Sequence, residues 1–140
     1  MAYVSQESIC KTLITDANKA IKKGEFEAAE HLYQEALHRL ENATGPVHPR
    51  IASVLLRLGD FYSSRQKYIE AEEQFRRAIT IYEQTFGDTN LDIAICFQHL
   101  SDALHAQGRS EEANRLRVQS KRILSDRLNN FGMRSAEKGN

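Results

Sequence analysis

The stretch Lys67-Tyr68-Ile69-Glu70-Ala71-Glu72 repeats, in slightly altered form, the earlier stretch Glu25-Phe26-Glu27-Ala28-Ala29-Glu30. The two stretches lie 42 residues apart, and the same offset relates Tyr33 to Phe75. One more step of 42 residues reaches a third, weaker copy around Ala113. A constant period over the whole length predicts a helical repeat protein, in which each unit packs only on its neighbours.

Apolar residues recur at three- and four-residue spacing nearly throughout the chain, which is the spacing of one helix face. No stretch shows the strict alternation of a strand, so we predict an all-α fold. Short connectors force neighbouring helices to lie antiparallel. The sequence therefore predicts three antiparallel helix pairs, with helices near residues 5–22, 26–42, 49–64, 68–85, 92–107 and 110–128.

The length of 140 residues suits one domain with its own core. We place this domain at residues 5–130. Residues 131–140 are polar and are expected to form a disordered tail. The three repeats within the domain are expected at approximately residues 5–44, 47–86 and 91–128.

Lysine plus arginine and aspartate plus glutamate each number 19, so the net charge is 0. This balance does not indicate nucleic acid or an acidic membrane surface as a partner. Residues 1–7 lack the basic start and apolar core of a signal peptide, and no apolar run approaches the roughly 18 residues that span a membrane. Cys10 and Cys96 are isolated, and we interpret them as reduced, buried side chains. We therefore expect a cytoplasmic protein.

The turns and connectors carry their own signals. Gly24 and Gly108 supply the left-handed residue that commonly closes a helix. Gln66 holds the equivalent place in the second repeat, so this helix end should be slightly strained. In the connector before the fifth helix, Thr89 followed by Asp92 resembles a capping box.

Small residues recur where the two helices of a pair must approach closely, namely Ala29, Ala71 and Ala113. Tyr33 and Phe75 are the large side chains that should fill the gap towards the next pair. Their counterpart in the third repeat is Arg117, and an unpartnered guanidinium is rarely buried. We therefore predict that Arg117 is exposed and that the last helix caps the array.

These residues carry a family resemblance. The connector Gly45-Pro46-Val47-His48-Pro49, the pair Leu58-Gly59, the stretch 67–72, Phe75 and Gly87 strongly resemble a tetratricopeptide repeat. The 42-residue length and the Gly-Pro-x-His-Pro connector look most like the kinesin-light-chain subtype. The resemblance covers roughly residues 10–128. It implies a right-handed superhelix of helix pairs, with a concave groove lined by the first helix of each pair.

By that resemblance the groove binds a partner. Asn18 lies where family members often use asparagine to grip a peptide, but Leu56-Arg57 and Gln98-His99 replace the paired asparagines usual in kinesin-light-chain repeats. The carboxylate clamp of heat-shock co-chaperones needs basic residues where this chain has Ile14 and Ile95, so we reject that interpretation. The groove residues implied are Lys11, Asn18 and Lys22 of the first helix, Leu56, Arg57 and Asp60 of the third, and Gln98, His99, Asp102 and His105 of the fifth.

The spacing of the histidine and aspartate residues gives little support for a metal site, and no catalytic motif occurs. His99, Asp102 and His105 lie three residues apart, which puts the two histidines well around the helix from each other. We therefore predict a solvated or partner-contacting face and no metal or other cofactor. No phosphate loop, nucleophile elbow or zinc-finger spacing occurs, so we predict that the chain is not an enzyme.

The function that follows is a protein-interaction module, which holds a peptide or helix of another protein in its groove. Two alternatives stay open. The exposed ends of the array could pair with another copy, which would make a self-assembling structural protein and a homo-oligomer. A chaperone for a secreted substrate is the other alternative. None of these hypotheses requires nucleic acid or a membrane.

Overall fold

A computed structural model describes residues 5–138, with side chains described as far as residue 132. All regular structure in this part of the chain is helical, which confirms the predicted all-α fold of three antiparallel pairs. None of the described helices is both long and apolar enough to cross a membrane. The helices are α1 (Gln6–Lys22), α2 (Phe26–Thr44), α3 (Pro49–Ser64), α4 (Tyr68–Phe86), α5 (Leu91–Ala106) and α6 (Ser110–Lys138).

The last helix is longer than the sequence analysis predicts. α6 continues to Lys138, so the predicted helix end near 128 and the disordered tail at 131–138 are corrected to a continuous helix. Residues 139–140 lie outside the described part of the chain. The physical reason is that no proline interrupts the stretch after 110, and Leu124, Leu128 and Phe131 keep helical spacing.

The turn inside each pair contains one residue in the left-handed region. Gly24 (φ 76°) and Gly108 (φ 81°) hold this place in the first and third pairs, and Gln66 (φ 60°) holds it in the second. A side chain makes this conformation unfavourable by roughly 1–2 kcal/mol. The predicted strain after α3 is therefore confirmed.

Side chains cap the first helices of the second and third pairs. His48 Nδ1 accepts a hydrogen bond from the Arg50 amide at 3.1 Å, which starts α3. Asn90 Oδ1 accepts one from the Asp92 amide at 2.7 Å, which starts α5. The predicted capping role of Thr89 is therefore wrong, because the helix begins one residue later than that pattern requires.

The residues at the repeated positions form much of the buried core. The three small residues at the crossings, Ala29, Ala71 and Ala113, are fully buried. Tyr33 and Phe75 are 2% and 1% exposed, as predicted. In the third pair two serines enter the core, and each hydroxyl donates to a backbone carbonyl, Ser101 to Ala113 at 2.9 Å and Ser120 to Ala94 at 2.8 Å. The close crossings therefore leave neither hydroxyl without a partner.

Both cysteines lie within this core as unpaired thiols, as predicted. Burial raises the pKa of the Cys96 thiol to about 12. Cys96 is therefore protonated at neutral pH and packs as a small apolar side chain.

An ion-pair ring, formed by Glu72, Arg76, Arg109 and Glu112, joins the second pair to the third. Arg76 lies 2.8 Å from Glu72 and 2.6 Å from Glu112. Arg109 lies at the same two distances, 2.8 Å from Glu72 and 2.6 Å from Glu112. Each guanidinium thus bridges the same two carboxylates, and the ring closes on the surface between α4 and α6.

Candidate functional site

The predicted groove residues all lie on α1, α3 and α5, and we call the surface that they form the groove face. Seven of the ten are exposed, whereas Asn18, Leu56 and His99 are half-buried. Leu56 packs against the core, which limits what it offers to a partner. The helix period places these side chains on one side of the array because each first helix buries its opposite side against a second helix.

A cleft of about 490 Å³ opens on the groove face between α1 and α3. Its apolar floor includes Cys10, Ile14, Leu40 and Val54, and its rim includes Glu7, Lys11, Asn18, Arg50 and Arg57. The structure therefore brings together three of the predicted groove residues, and it adds Arg50, which the sequence analysis missed. The sequence contains a signal that could have identified Arg50. Arg50 and Arg57 are seven residues apart and so lie on one helix face.

The charges on this rim are unequal. Glu7 pairs with Arg50 at 2.7 Å and with Lys11 at 3.4 Å. The hydrogen bond from Arg50 is the main reason that the pKa of Glu7 is lowered. Within the described residues Arg57 makes no ion pair or side-chain hydrogen bond, so its charge is available to a ligand. The cleft is basic, with three cationic side chains and one carboxylate.

Asn18 is held by the core side chain beneath it. Tyr33 Oη donates a hydrogen bond to Asn18 Oδ1 at 2.9 Å, and burial raises the pKa of Tyr33. The carbonyl oxygen of Asn18 is thus engaged, while its amide nitrogen can still donate into the cleft. The sequence analysis did not foresee this contact, which depends on how α2 lies under α1.

His99 links α5 to α3 across the groove face. Its Nδ1 lies 2.6 Å from Asp60 Oδ1, and its ring packs at 5.6 Å from the ring of Phe75, measured between centroids. The hydrogen bond with Asp60 raises the pKa of His99, against an opposing effect of burial. Two predicted groove residues therefore contact each other directly.

We expect the His99–Asp60 contact to contribute more stability in mildly acidic than in alkaline solution. Because the folded-state pKa of His99 is raised above 6.5, the contribution is fully present below about pH 6.5 and is lost as the pH rises through the folded pKa. Asp60→Asn removes the ion pair. Asp60→Asn should lower the free energy of unfolding by at most about 1 kcal/mol, because the pair is partly exposed to solvent, and this loss should shrink as the pH rises.

Urea unfolding of wild type and Asp60→Asn at about pH 6 and about pH 9 measures this effect. If Asp60→Asn lowers the free energy of unfolding by the same amount at both pH values, the contact between His99 and Asp60 is not ionic. The comparison uses differences between two proteins at each pH, so other titrating groups largely cancel.

The remaining predicted residues lie toward the ends of the groove face. Asp102 pairs with Arg117 of α6 at 3.2 Å, so the exposed cap residue contacts the face as well, and its predicted exposure is confirmed. Lys22 and His105 are exposed near the ends of α1 and α5. Among the described residues, no three His, Cys, Asp or Glu side chains come together in a group that could hold a metal ion.

Two overlapping stretches, residues 20–84 and 50–124, match the family model for the tetratricopeptide repeat. The chain is similar to Kinesin light chain-related 1 of Arabidopsis thaliana, with 31% identity over 103 residues, 73% of this chain and 17% of that protein. Kinesin light chain-related 3 of the same plant is 36% identical over 86 residues, 59% of this chain and 13% of that protein. The chain thus spans less than a fifth of the length of these relatives.

Among solved structures, the chain is similar to BtubC (BKLC) from P. vanneervenii, with a TM-score of 0.80 and 26% identity over 86% of this chain and 48% of that one. The family model matches most of the chain, and the six helices and the 42-residue period agree with it. The chain belongs to the tetratricopeptide repeat family, and within that family it is similar to the kinesin-light-chain subtype.

Proposed function

We propose that the chain is a protein-interaction module that holds a peptide or helical segment of a partner protein on its groove face. The observation that carries this proposal is the cleft between α1 and α3, where apolar side chains form the floor and cationic side chains form the rim. Apolar pockets with a few well-placed polar groups are the usual form of a recognition site. Membership of a family of interaction modules supports the same function.

The chemistry of the cleft indicates how a partner would be held. An apolar side chain of the partner can contact Ile14 and Val54 on the floor. The free guanidinium of Arg57 can bind a carboxylate or a backbone carbonyl of the same segment, and the Asn18 amide nitrogen can donate to a second carbonyl. Lys11 and Arg50 add positive charge beside them, so an acidic or neutral segment is favoured over a basic one.

Among the predicted groove residues, Lys11 and Arg57 offer the cleanest test. Asn18 and His99 also make contacts within the fold, so their replacement would disturb packing as well as binding. Lys11 and Arg57 are exposed, so the double variant Lys11→Glu/Arg57→Glu should keep its fold and lose its partner. The matched control is Lys19→Glu/Arg115→Glu, which makes the same charge change at exposed positions outside the cleft.

We expect quantitative affinity capture to show at least one partner retained by wild type and by the control but reduced about tenfold or more by the groove variant. Thermal melting of all three proteins checks that folding is equal. If every captured protein is retained equally by both double variants, the groove face is not the binding surface.

A further inference from the structure

The carboxyl-terminal end of the array presents a helix side that is covered in the other two pairs. α3 covers one side of α2, and α5 covers the same side of α4. Within the described residues the backbone of α6 lies close to that of α5 alone, and the ion-pair ring is a side-chain link to α4. The corresponding side of α6 is therefore open, and we call it the end face.

Residues at equivalent positions of α2 and α4, 42 residues apart in the sequence, show which side chains occupy this side when another helix covers it. Leu40 and Tyr82 are 4% and 6% exposed, and their equivalent on α6 is Leu124, which is half-buried. One turn further, Leu128 is 72% exposed, more than its equivalent Phe86 on α4 at 49%, and Phe131 is 73% exposed. Exposed apolar side chains at helical spacing on one open side mark a surface that a helix can cover.

The end face has two chemically distinct halves. Arg117 and Lys121 make the amino-terminal half of the end face basic. With Gln98 and Asp102 of α5 they line a shallow cleft of about 280 Å³. Leu124, Leu128 and Phe131 make the carboxyl-terminal half of the end face apolar.

The covered sides of α2 and α4 give the direction in which a helix would lie. Tyr33, early in α2, packs against Phe61, late in α3, with ring centroids 6.1 Å apart. Phe75, early in α4, likewise packs against His99 in the second half of α5. A helix seated in the same way on α6 would run antiparallel to it. Its second half would then meet the basic residues, and its first half would meet the apolar ones.

We propose that a partner helix with an apolar first half and an acidic second half stacks on the end face, antiparallel to α6. This surface shares Gln98 and Asp102 with the groove face but is separate from the cleft between α1 and α3, so the proposal does not depend on that cleft. Polarity argues against a second copy of this chain as the occupant. In an antiparallel pairing of two end faces, Arg117 and Lys121 of each copy would lie against Leu128 and Phe131 of the other, so cationic side chains would be buried against apolar ones.

The probe is a synthetic helical peptide of about 18 residues, labelled with a fluorophore, with leucines facing α6 in its first half and glutamates in its second half. A matched peptide carries lysine in place of each glutamate. Titrating the full chain and following fluorescence anisotropy should show that the glutamate peptide binds about tenfold tighter or more. Arg117→Glu/Lys121→Glu should reverse that preference.

Leu128→Glu should weaken the glutamate peptide by about tenfold or more. Phe131→Glu provides a second variant at an equally exposed position, so a folding defect in one does not decide the result. The groove variant Lys11→Glu/Arg57→Glu should bind the peptide as wild type does.

Three outcomes would overturn the proposal. The two peptides could bind equally, which would remove the role of charge. The groove variant could lose the glutamate peptide, which would place it in the cleft between α1 and α3. Sedimentation could show a dimer that Leu128→Glu abolishes, which would make a second copy the occupant.

Discussion

Replacing Phe75 by alanine should lower the free energy of unfolding by about 3–5 kcal/mol, the range typical of a buried aromatic side chain. Phe75 is 1% exposed and lies where α3, α4 and α5 meet, since its ring faces Gly59 on one helix and His99 on the other. Its loss would leave a cavity at the junction between the second and third pairs. The surrounding helices are tied by neighbouring contacts and can close such a cavity only in part.

Arg117→Ala is the matched control, because Arg117 occupies the same place in the third repeat. Its side chain is 46% exposed and lies 3.2 Å from Asp102, so its removal should cost at most about 1 kcal/mol. Urea unfolding with linear extrapolation measures both variants. Equal losses for the two would mean that the third repeat buries this position as the second does, contrary to an open end at α6.

Gly59→Ala should destabilise the protein, although alanine is favoured over glycine inside a helix by about 1 kcal/mol. A Cβ atom at position 59 would lie 2.7 Å from Phe75 Cδ1 and 2.8 Å from Cζ, and closer still to Cε1. The ring is enclosed, so it cannot move away without shifting α4. Overpacking of this kind costs about 1–3 kcal/mol, and we expect a net loss of up to about 2 kcal/mol.

Gly132→Ala is the same substitution in open space. A Cβ atom there meets nothing within 4 Å, and position 132 lies inside α6, so the variant should gain up to about 1 kcal/mol. Thermal or urea unfolding should therefore show opposite signs for the two substitutions.

Adding Phe75→Leu to Gly59→Ala should cost less than the sum of the single changes, because the smaller side chain relieves the contact. Gains of similar size for Gly59→Ala and Gly132→Ala would contradict the close approach of α3 and α4.

The repeat could be predicted because its signal lies in the residues that pack within a pair. Ala29, Ala71 and Ala113 are small because the two helices of each pair approach closely there. This close approach recurs every 42 residues. The exposed side of each first helix follows from the same periodicity, and the groove residues implied by the family resemblance lie on α1, α3 and α5. These predictions depend on contacts between helices that are adjacent in sequence.

The contacts that could not be predicted depend on how helices lie on one another. The hydrogen bond from Tyr33 to Asn18 and the contact between His99 and Asp60 both follow from that three-dimensional arrangement. No local pattern specifies it. Gly59 is a different case, since its counterparts Ala17 and Ser101 are small as well, and only the distance to Phe75 explains why glycine is needed.

The ion-pair ring makes the junction between the second and third pairs sensitive to dissolved salt. Its arginines are exposed, and the screening length shrinks from about 10 Å at 0.1 M to about 3 Å at 1 M. At the junction of the first and second pairs, the ion pairs Glu7–Arg50 and Glu41–Arg77 are screened in the same way, whereas the hydrogen bond of 2.7 Å from Tyr62 to Glu30 is weakened less. Because each pair is stabilised only by its neighbours, concentrated salt would weaken the attachment of the third pair to the rest of the array.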